Sequence, residues 1–357
     1  MDVRSQEQGL GKRSVAITGG AGFIGVNAAE SFMRDGWHVI LFDNLSRKGT
    51  DLNLRYLQKQ YPDQIDFILG DIRFDHFPLL HAVARAELVL HLAAQVAVTT
   101  SITRPVEDFE INAHGTFNVL EAVREAGHKP LVLYSSTNKV YGGMSDLGYV
   151  KTPTRWQFHD LPHGVAEDRP LDFHSPYGCS KGAADQYVHD YGRIYGIPTV
   201  VFRQSCIYGQ RQFGVEDQGW VAWFLIAALL ERPITIYGDG YQMRDLLHVD
   251  DLVAAYKRVA TDASKAAGAI YNVGGGPART LSLIELLAML EERLGRKIPV
   301  GHSQPRAGDQ PVFVADIRKI ERELGWKPTI DPPEGVGLLL EWILNNRSDV
   351  ERVVQTF

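Results

Sequence analysis

Three glycines spaced three apart, in Gly19-Gly20-Ala21-Gly22-Phe23-Ile24-Gly25, leave few options for how this chain begins to fold. The β-branched run Ser14–Thr18 ahead of them predicts a buried strand. Apolar residues at helical spacing from Asn27 to Arg34 predict a helix, and His38–Phe42 reads as a second strand. Strand, glycine turn, helix and strand in close succession make a βαβ unit. Glycine permits the tight turn, lets phosphates approach the backbone, and lets helix and strand pack closely. The helix N-terminus then offers N–H groups to a phosphate. Alone, such a triplet is as readily a structural turn. With both flanks in place it implies a dinucleotide held by Gly19, Gly22, Phe23, Ile24 and Gly25.

The alternation continues. Strands are expected at 66–69, 88–92, 131–135 and 199–203, with helices over 106–126 and 177–195, which implies a parallel sheet covered on both faces. After residue 205 the texture changes: helices are expected at 221–230, 250–261 and 283–294, a short strand at 234–237, and a last helical run closing at Glu341. The expected fold class is α/β, a doubly wound parallel sheet with a smaller, interleaved C-terminal α/β domain. Residues 14–204, with part of 236–275, belong to the first domain, because Tyr271–Val273 can return to the main sheet. Residues 205–235 and 276–357 make the second, and residues 1–13 read as a flexible extension. The stretch 142–170, with little periodicity, is expected to be a long functional loop.

Composition narrows the function. The 357 residues carry 37 basic and 43 acidic side chains, so no basic excess asks for nucleic acid. The longest apolar stretch, Val221 to Leu230, is about half of a bilayer span. The N-terminus lacks a signal-peptide core, so a cytoplasmic protein is expected. Two cysteines, Cys179 and Cys206, cannot build a disulfide framework, and each is expected to be a small, half-buried residue.

Asp43 ends the second strand, 18 residues after Gly25. An acid there accepts ribose hydroxyls and repels a 2′-phosphate, favouring NAD over NADP. Arg47 and Lys48 nearby are either a counterweight to that reading or a solvated loop. Asp71 and Ile72 are placed to flank an adenine, and the small residues after His91 suit close passage of a cofactor. Tyr177 and Lys181 share a helix face at a spacing of four. A lysine ammonium beside a phenol favours phenolate, so a lowered tyrosine pKa is expected. Thr137, at the end of the strand Tyr134-Ser135-Ser136-Thr137, is placed to donate to the same substrate oxygen. His159 and His163 have a metal-pair spacing, but Pro162 intervenes and no third acidic ligand is evident, so no metal is expected.

Taken together, these motifs resemble the extended short-chain dehydrogenase/reductase family, in particular its NAD-dependent nucleotide-sugar epimerases and dehydratases. The resemblance runs from residue 14 to about 345. It includes the glycine loop, Asp43-Asn44-Leu45, Gly70-Asp71-Ile72, Asn112 to Asn118, Ser175 to Lys181, Gly238-Asp239-Gly240 with Arg244-Asp245, and Gly325-Trp326-Lys327-Pro328. It narrows to a branch of 2-epimerases acting on CDP-hexoses through Asp43 to Gly49, Thr99-Thr100-Ser101, Ser135 to Gly142, Leu171 to Tyr187, and Gly209 to Phe213 with Asp217 to Val221. The resemblance implies a retained NAD, with Thr137, Tyr177 and Lys181 catalytic. It further implies cofactor contacts from Asn44, Ser46, Arg47, Leu92, Ala93, Ala94, Gln95, Asn112 and Ser135. Thr100, Asn138, Cys206, Arg211, Trp220, Arg244 and Arg306 are implied for the nucleotide sugar, the arginines for its diphosphate. The family's dehydratases carry Asp-Glu after the threonine. Asn138-Lys139 in that place removes the acid and base that dehydration needs. Alternatives are a 4-epimerase of another nucleotide sugar, a nucleotide-hexuronate decarboxylase, and a non-catalytic NAD sensor. Helices 106–126 and 177–195 resemble the family's dimer-forming pair, so a homodimer or homotetramer is expected.

Overall fold

The computed structural model describes residues 13–306 and 308–355. Of the expected extension at residues 1–13, only Arg13 lies within them; it pairs with Glu87 and lies over the Trp37 ring. The central sheet has seven parallel strands: β1 (Ser14–Thr18), β2 (His38–Asp43), β3 (Ile65–Leu69), β4 (Leu88–His91), β5 (Leu131–Thr137), β6 (Thr199–Gln204) and β7 (Ile270–Val273). Their spatial order is β7-β6-β5-β4-β1-β2-β3, a Rossmann-type doubly wound sheet.

The strands read as apolar runs because both faces are buried. In β1, Val15 and Ile17 enter one core and Ala16 the other. Helices α1 (Phe23–Arg34) and α2 (Thr50–Gln60) cover the first face. Helices α3 (Gly115–Ala126) and α4 (Ser175–Tyr195) cover the second. A third core gathers α5 (Trp220–Leu229), Leu283–Leu294 and Pro332–Asn345. Helix α6 (Val249–Thr261) returns to α1, placing Leu252, Val253 and Tyr256 in the first core. Strand Met243–His248 bonds to Cys206–Tyr208, Thr280–Ser282 and Val312–Phe313, and so ties the C-terminal part together.

Several boundaries differ from expectation, each for a physical reason. Helix α1 begins at Phe23, four residues early, because Gly22 in an extended conformation serves as its N-cap. The expected helix over 106–126 starts at Pro105 and is interrupted by a π-helical turn, Glu110–His114, an insertion common near functional sites. The stretch 142–170 carries a short hairpin, Tyr149–Lys151 with Trp156–Phe158. The last helical run does not close at Glu341. It continues to Asn345, and Arg347–Gln355 follows, because Ile343, Val350 and Val354 extend the third core. No helix among the described residues is long and apolar enough to cross a membrane.

Candidate active site

The strand order reverses between β1 and β4, and the crevice at their C-terminal ends is where ligands enter such sheets. Gly19 adopts a left-handed φ of +69°, and a Cβ there would come within 2.8 Å of the Ala93 nitrogen. A Cβ at Gly25 would lie 2.4 Å from the Gly19 carbonyl oxygen, so glycine alone lets α1 sit on the loop. At Gly22 a Cβ would meet only the Gly19 oxygen, at 3.1 Å, which leaves an open cradle over the mouth of α1. No described side chain caps that helix, so its first-turn N–H groups face the cradle.

Asp43 closes β2 and is buried. Its two carboxylate oxygens accept from the N–H groups of Ala21, at 3.0 Å, and Leu45, at 2.8 Å. Burial pushes its pKa up and those two bonds pull it down. Each oxygen keeps a second lone pair for a ribose hydroxyl. The cradle and this acceptor pair fit a dinucleotide such as NAD. Asn44 donates to Asp71 at 2.9 Å, and Ser46 is exposed beside them. Arg73 bonds hold Asp71 down at about 2 against its desolvation. Ile72 is buried against Gly115. Arg47 reaches across to donate to the Gln218 side-chain oxygen.

Leu92, Ala93, Ala94 and Gln95 line the crevice after β4, each partly buried. Asn112, in the π turn, spends its amide inside the protein: it accepts from the Gln95 N–H at 2.9 Å and donates to the Gln95 carbonyl at 3.0 Å. Asp108, which sequence reasoning passed over, is fully buried and accepts from Gln95, Asn112 and Ser180 at 2.9, 3.1 and 2.5 Å. A position four residues before Asn112 on one helix was its only signal.

Tyr177 and Lys181 stand on the inner face of α4, as their spacing requires, with Thr137 at the end of β5. All three are buried. A hydrogen bond with Thr137 pulls the Tyr177 pKa down, but burial outweighs it and pushes it up to about 12. This corrects the expectation of a lowered tyrosine pKa. Lys181 donates instead to the Ser135 carbonyl at 2.6 Å and lies over the Tyr134 ring. Burial lowers its pKa to about 7, against the opposing pull of Asp185 and Asp108. Ser135 itself donates to Gln204 at 3.0 Å.

Asn138 lies beside Thr137, whose hydroxyl it accepts at 3.3 Å, and reaches Gln310 at 3.5 Å. Arg244 pairs with Asp309 at 2.7 Å. Arg306 pairs with Asp217 at 3.0 Å and lies over the Tyr237 ring. Trp220 donates its indole N–H to Cys206 at 3.1 Å and meets Phe224 edge to face. Burial pushes the Cys206 thiol up to about 12, so it is no thiolate. Thr100, in the short helix Val98–Thr103, is half-buried. The Arg211 guanidinium lies over the Tyr56 ring of α2. Cys179 is exposed rather than half-buried, because it points away from the face that carries Tyr177. His159 pairs with Asp160, and among the described residues no three His, Cys, Asp or Glu side chains are grouped to hold a metal.

The NAD dependent epimerase/dehydratase family model matches residues 15–274. CDP-paratose 2-epimerase of Salmonella typhi is 46% identical over 332 residues, covering 91% of this chain and 98% of that one. Among solved structures, UDP-glucose 4-epimerase of Thermotoga maritima with UDP-glucose superposes with a TM-score of 0.80 at 30% identity, covering 94% and 99% of the two chains. The dTDP-glucose 4,6-dehydratase of Streptomyces venezuelae, solved with NAD, gives 0.81 at 28% identity, over 95% and 99%. Agreement this long, in sequence and in backbone alike, places the chain in the NAD-dependent epimerase/dehydratase family.

Proposed function

We propose that this protein inverts C2 of CDP-paratose to give CDP-tyvelose, with NAD as a retained cofactor. The observation that carries the choice of reaction is the turn after Thr137. It presents Asn138 and Lys139 where elimination of water would need a carboxylic acid and a carboxylate base. The choice of substrate is supported by the 46% identity to a CDP-paratose 2-epimerase over nearly the whole chain.

Tyr177 removes the proton from the sugar hydroxyl that Thr137 holds. The chemistry supplied by NAD when bound is reversible hydride acceptance at the same carbon. Burial pushes the Tyr177 phenol up to about 12 in the protein alone, and a protonated Lys181, one helical turn further along α4, favours the phenolate. The resulting ketone turns its other face to the site, and Tyr177 returns the proton. No net redox change results.

Gly19, Gly22 and Gly25 with the α1 N-terminus hold the pyrophosphate, and Asp43 the adenosine ribose. Asn112 and Asp108 act by positioning the segment after β4. Arg244 and Arg306 hold the substrate diphosphate, and Trp220 stacks on base or sugar. Residues 14–204 with 249–273 serve the cofactor, and 205–235 with 276–357 the nucleotide sugar. The setting is cytoplasmic. The assembly is a homodimer, supported by exposed Val106, Phe109, Phe117, Tyr187 and Ile194 on the two helices expected to pair.

Purified protein incubated with CDP-paratose and no added cofactor should form CDP-tyvelose, followed by proton NMR. Tyr177→Phe should lose turnover while keeping bound NAD. No conversion by a wild-type protein that carries NAD would refute the substrate. A 4-epimerised product from another nucleotide sugar would replace the reading.

A further inference from the structure

Lys139 is the one charged side chain on the turn that also carries Thr137 and Asn138. The turn is rigid at this point: the Thr137 hydroxyl caps it by accepting the Lys139 N–H at 3.2 Å. Fixing the reactive threonine therefore fixes the origin of the lysine side chain. The ammonium reaches across to the C-terminal part and donates to the Gly308 carbonyl at 3.3 Å. Its charged neighbours are Arg244 and Asp309. Asp309 is already committed to Arg244 at 2.7 Å. Two cations thus share one carboxylate in a partly desolvated place, and the local charge is left positive. Desolvation, and after it Arg244, lower the lysine to about 8 against the opposing pull of Asp309.

Sugar geometry indicates which anion belongs there. In a nucleotide sugar the diphosphate hangs from C1. C2 is one bond from C1, whereas C4 lies across the ring. When the carbon facing Thr137 and Tyr177 is C2, the sugar-side phosphate must lie next to those residues. When it is C4, the phosphate lies a ring's breadth further off. A cation two residues beyond Thr137 serves the first arrangement and falls short of the second.

We infer that Lys139 binds the sugar-side phosphate of the substrate, exchanging the Gly308 carbonyl for a phosphate oxygen, and that this contact selects C2 over C4. The inference rests on the proposed epimerase reading and adds a specificity-determining residue to it. Arg244, released in part from Asp309, shares the same phosphate. Anchoring by that phosphate leaves the ring free to turn about its link to it, which inversion through a ketone requires.

The test compares CDP, which carries the sugar-side phosphate, with CMP, which lacks it. Binding is measured by calorimetry on the full-length protein. In Lys139→Met, CDP affinity should fall about 10- to 100-fold, the worth of a charge-assisted hydrogen bond, with CMP affinity unchanged. Lys139→Arg should recover most of the loss, and Lys139→Gln replaces the methionine variant if that one folds poorly. With CDP-paratose the neutral variants should raise KM more than they lower kcat. Equal loss of CDP and CMP, or no loss of either, overturns the inference. Wild-type protein that binds neither nucleotide refutes the choice of base instead, and UDP with UMP then tests Lys139 in the same variants. A wild-type protein that inverts C4 overturns the regiochemical part even where the lysine holds phosphate.

Discussion

Arg203→Met should strongly destabilise this protein. Arg203 on β6 and Asp185 on α4 form a two-pronged pair, Nε to Oδ2 at 3.0 Å and Nη2 to Oδ1 at 3.1 Å, with side-chain exposures of 3% and 0%. The guanidinium also donates to the Tyr141 hydroxyl at 3.1 Å. Removing it strands the Asp185 carboxylate with Ser136, at 2.7 Å, and Gln186, at 2.9 Å, as its remaining donors. Breaking a buried pair from one side costs about 3–5 kcal/mol, because an uncompensated charge stays behind. The double variant Arg203→Met, Asp185→Leu removes that charge and should recover about 2 kcal/mol or more of the loss, since replacing a whole buried pair by apolar groups is often neutral. The Tyr141 hydroxyl keeps Asn272 as an acceptor at 2.7 Å, so it adds little to the cost. Urea unfolding followed by far-UV circular dichroism and tryptophan fluorescence reads both variants. Asp185 also lies one helical turn beyond Lys181 and favours its protonated form. The double variant should therefore remain less active at neutral pH even where it is folded. A single-variant loss below about 1 kcal/mol, or a double variant weaker than the single, would refute this account.

Two further outcomes follow from the same structure. His91 is fully buried between the hydroxyls of Thr18, at 2.7 Å, and Thr116, at 2.9 Å, and desolvation lowers its pKa to about 3. Between that value and the unfolded 6.5, only the unfolded chain binds the proton. Stability should therefore fall by about 1.4 kcal/mol per pH unit below 6.5, or about 2 kcal/mol by pH 5. Thermal unfolding at pH 7 and pH 5 should show a smaller acid loss in His91→Gln; equal losses would shift the cause to other groups. Sedimentation velocity at micromolar concentration should find a wild-type dimer, and a monomer when Phe117→Asp and Ile194→Asp are combined. A monomeric wild type would remove the assembly proposed here.

Much of the fold was legible because buried parallel strands announce themselves. Ser14–Thr18 matched its expected bounds, and β2, β4, β5 and β6 lay within two residues of theirs, since a strand covered on both faces must be apolar throughout. Tyr177 and Lys181 on one helix face, and Asp43 at a strand end, were equally readable, because period and order along the chain place them. Burial was not readable. The spacing of Tyr177 and Lys181 promised a phenol eased by its neighbour, whereas the packed site raises the phenol, and Lys181 donates to the Ser135 carbonyl.

Long-range company was hidden as well. Gln310 and Gly308 meet Asn138 and Lys139 from about 170 positions away, Gln218 meets Arg47, and Arg211 lies over Tyr56. What the sequence by itself determined was the periodic and local part: the alternating sheet, the glycine loop and the pair on α4, all set by backbone geometry over a few residues. Which side chains close the site, which charges lack a partner, and which protons are held were decided only by the tertiary structure. Those properties depend on desolvation and on contacts between segments that the chain order does not bring together.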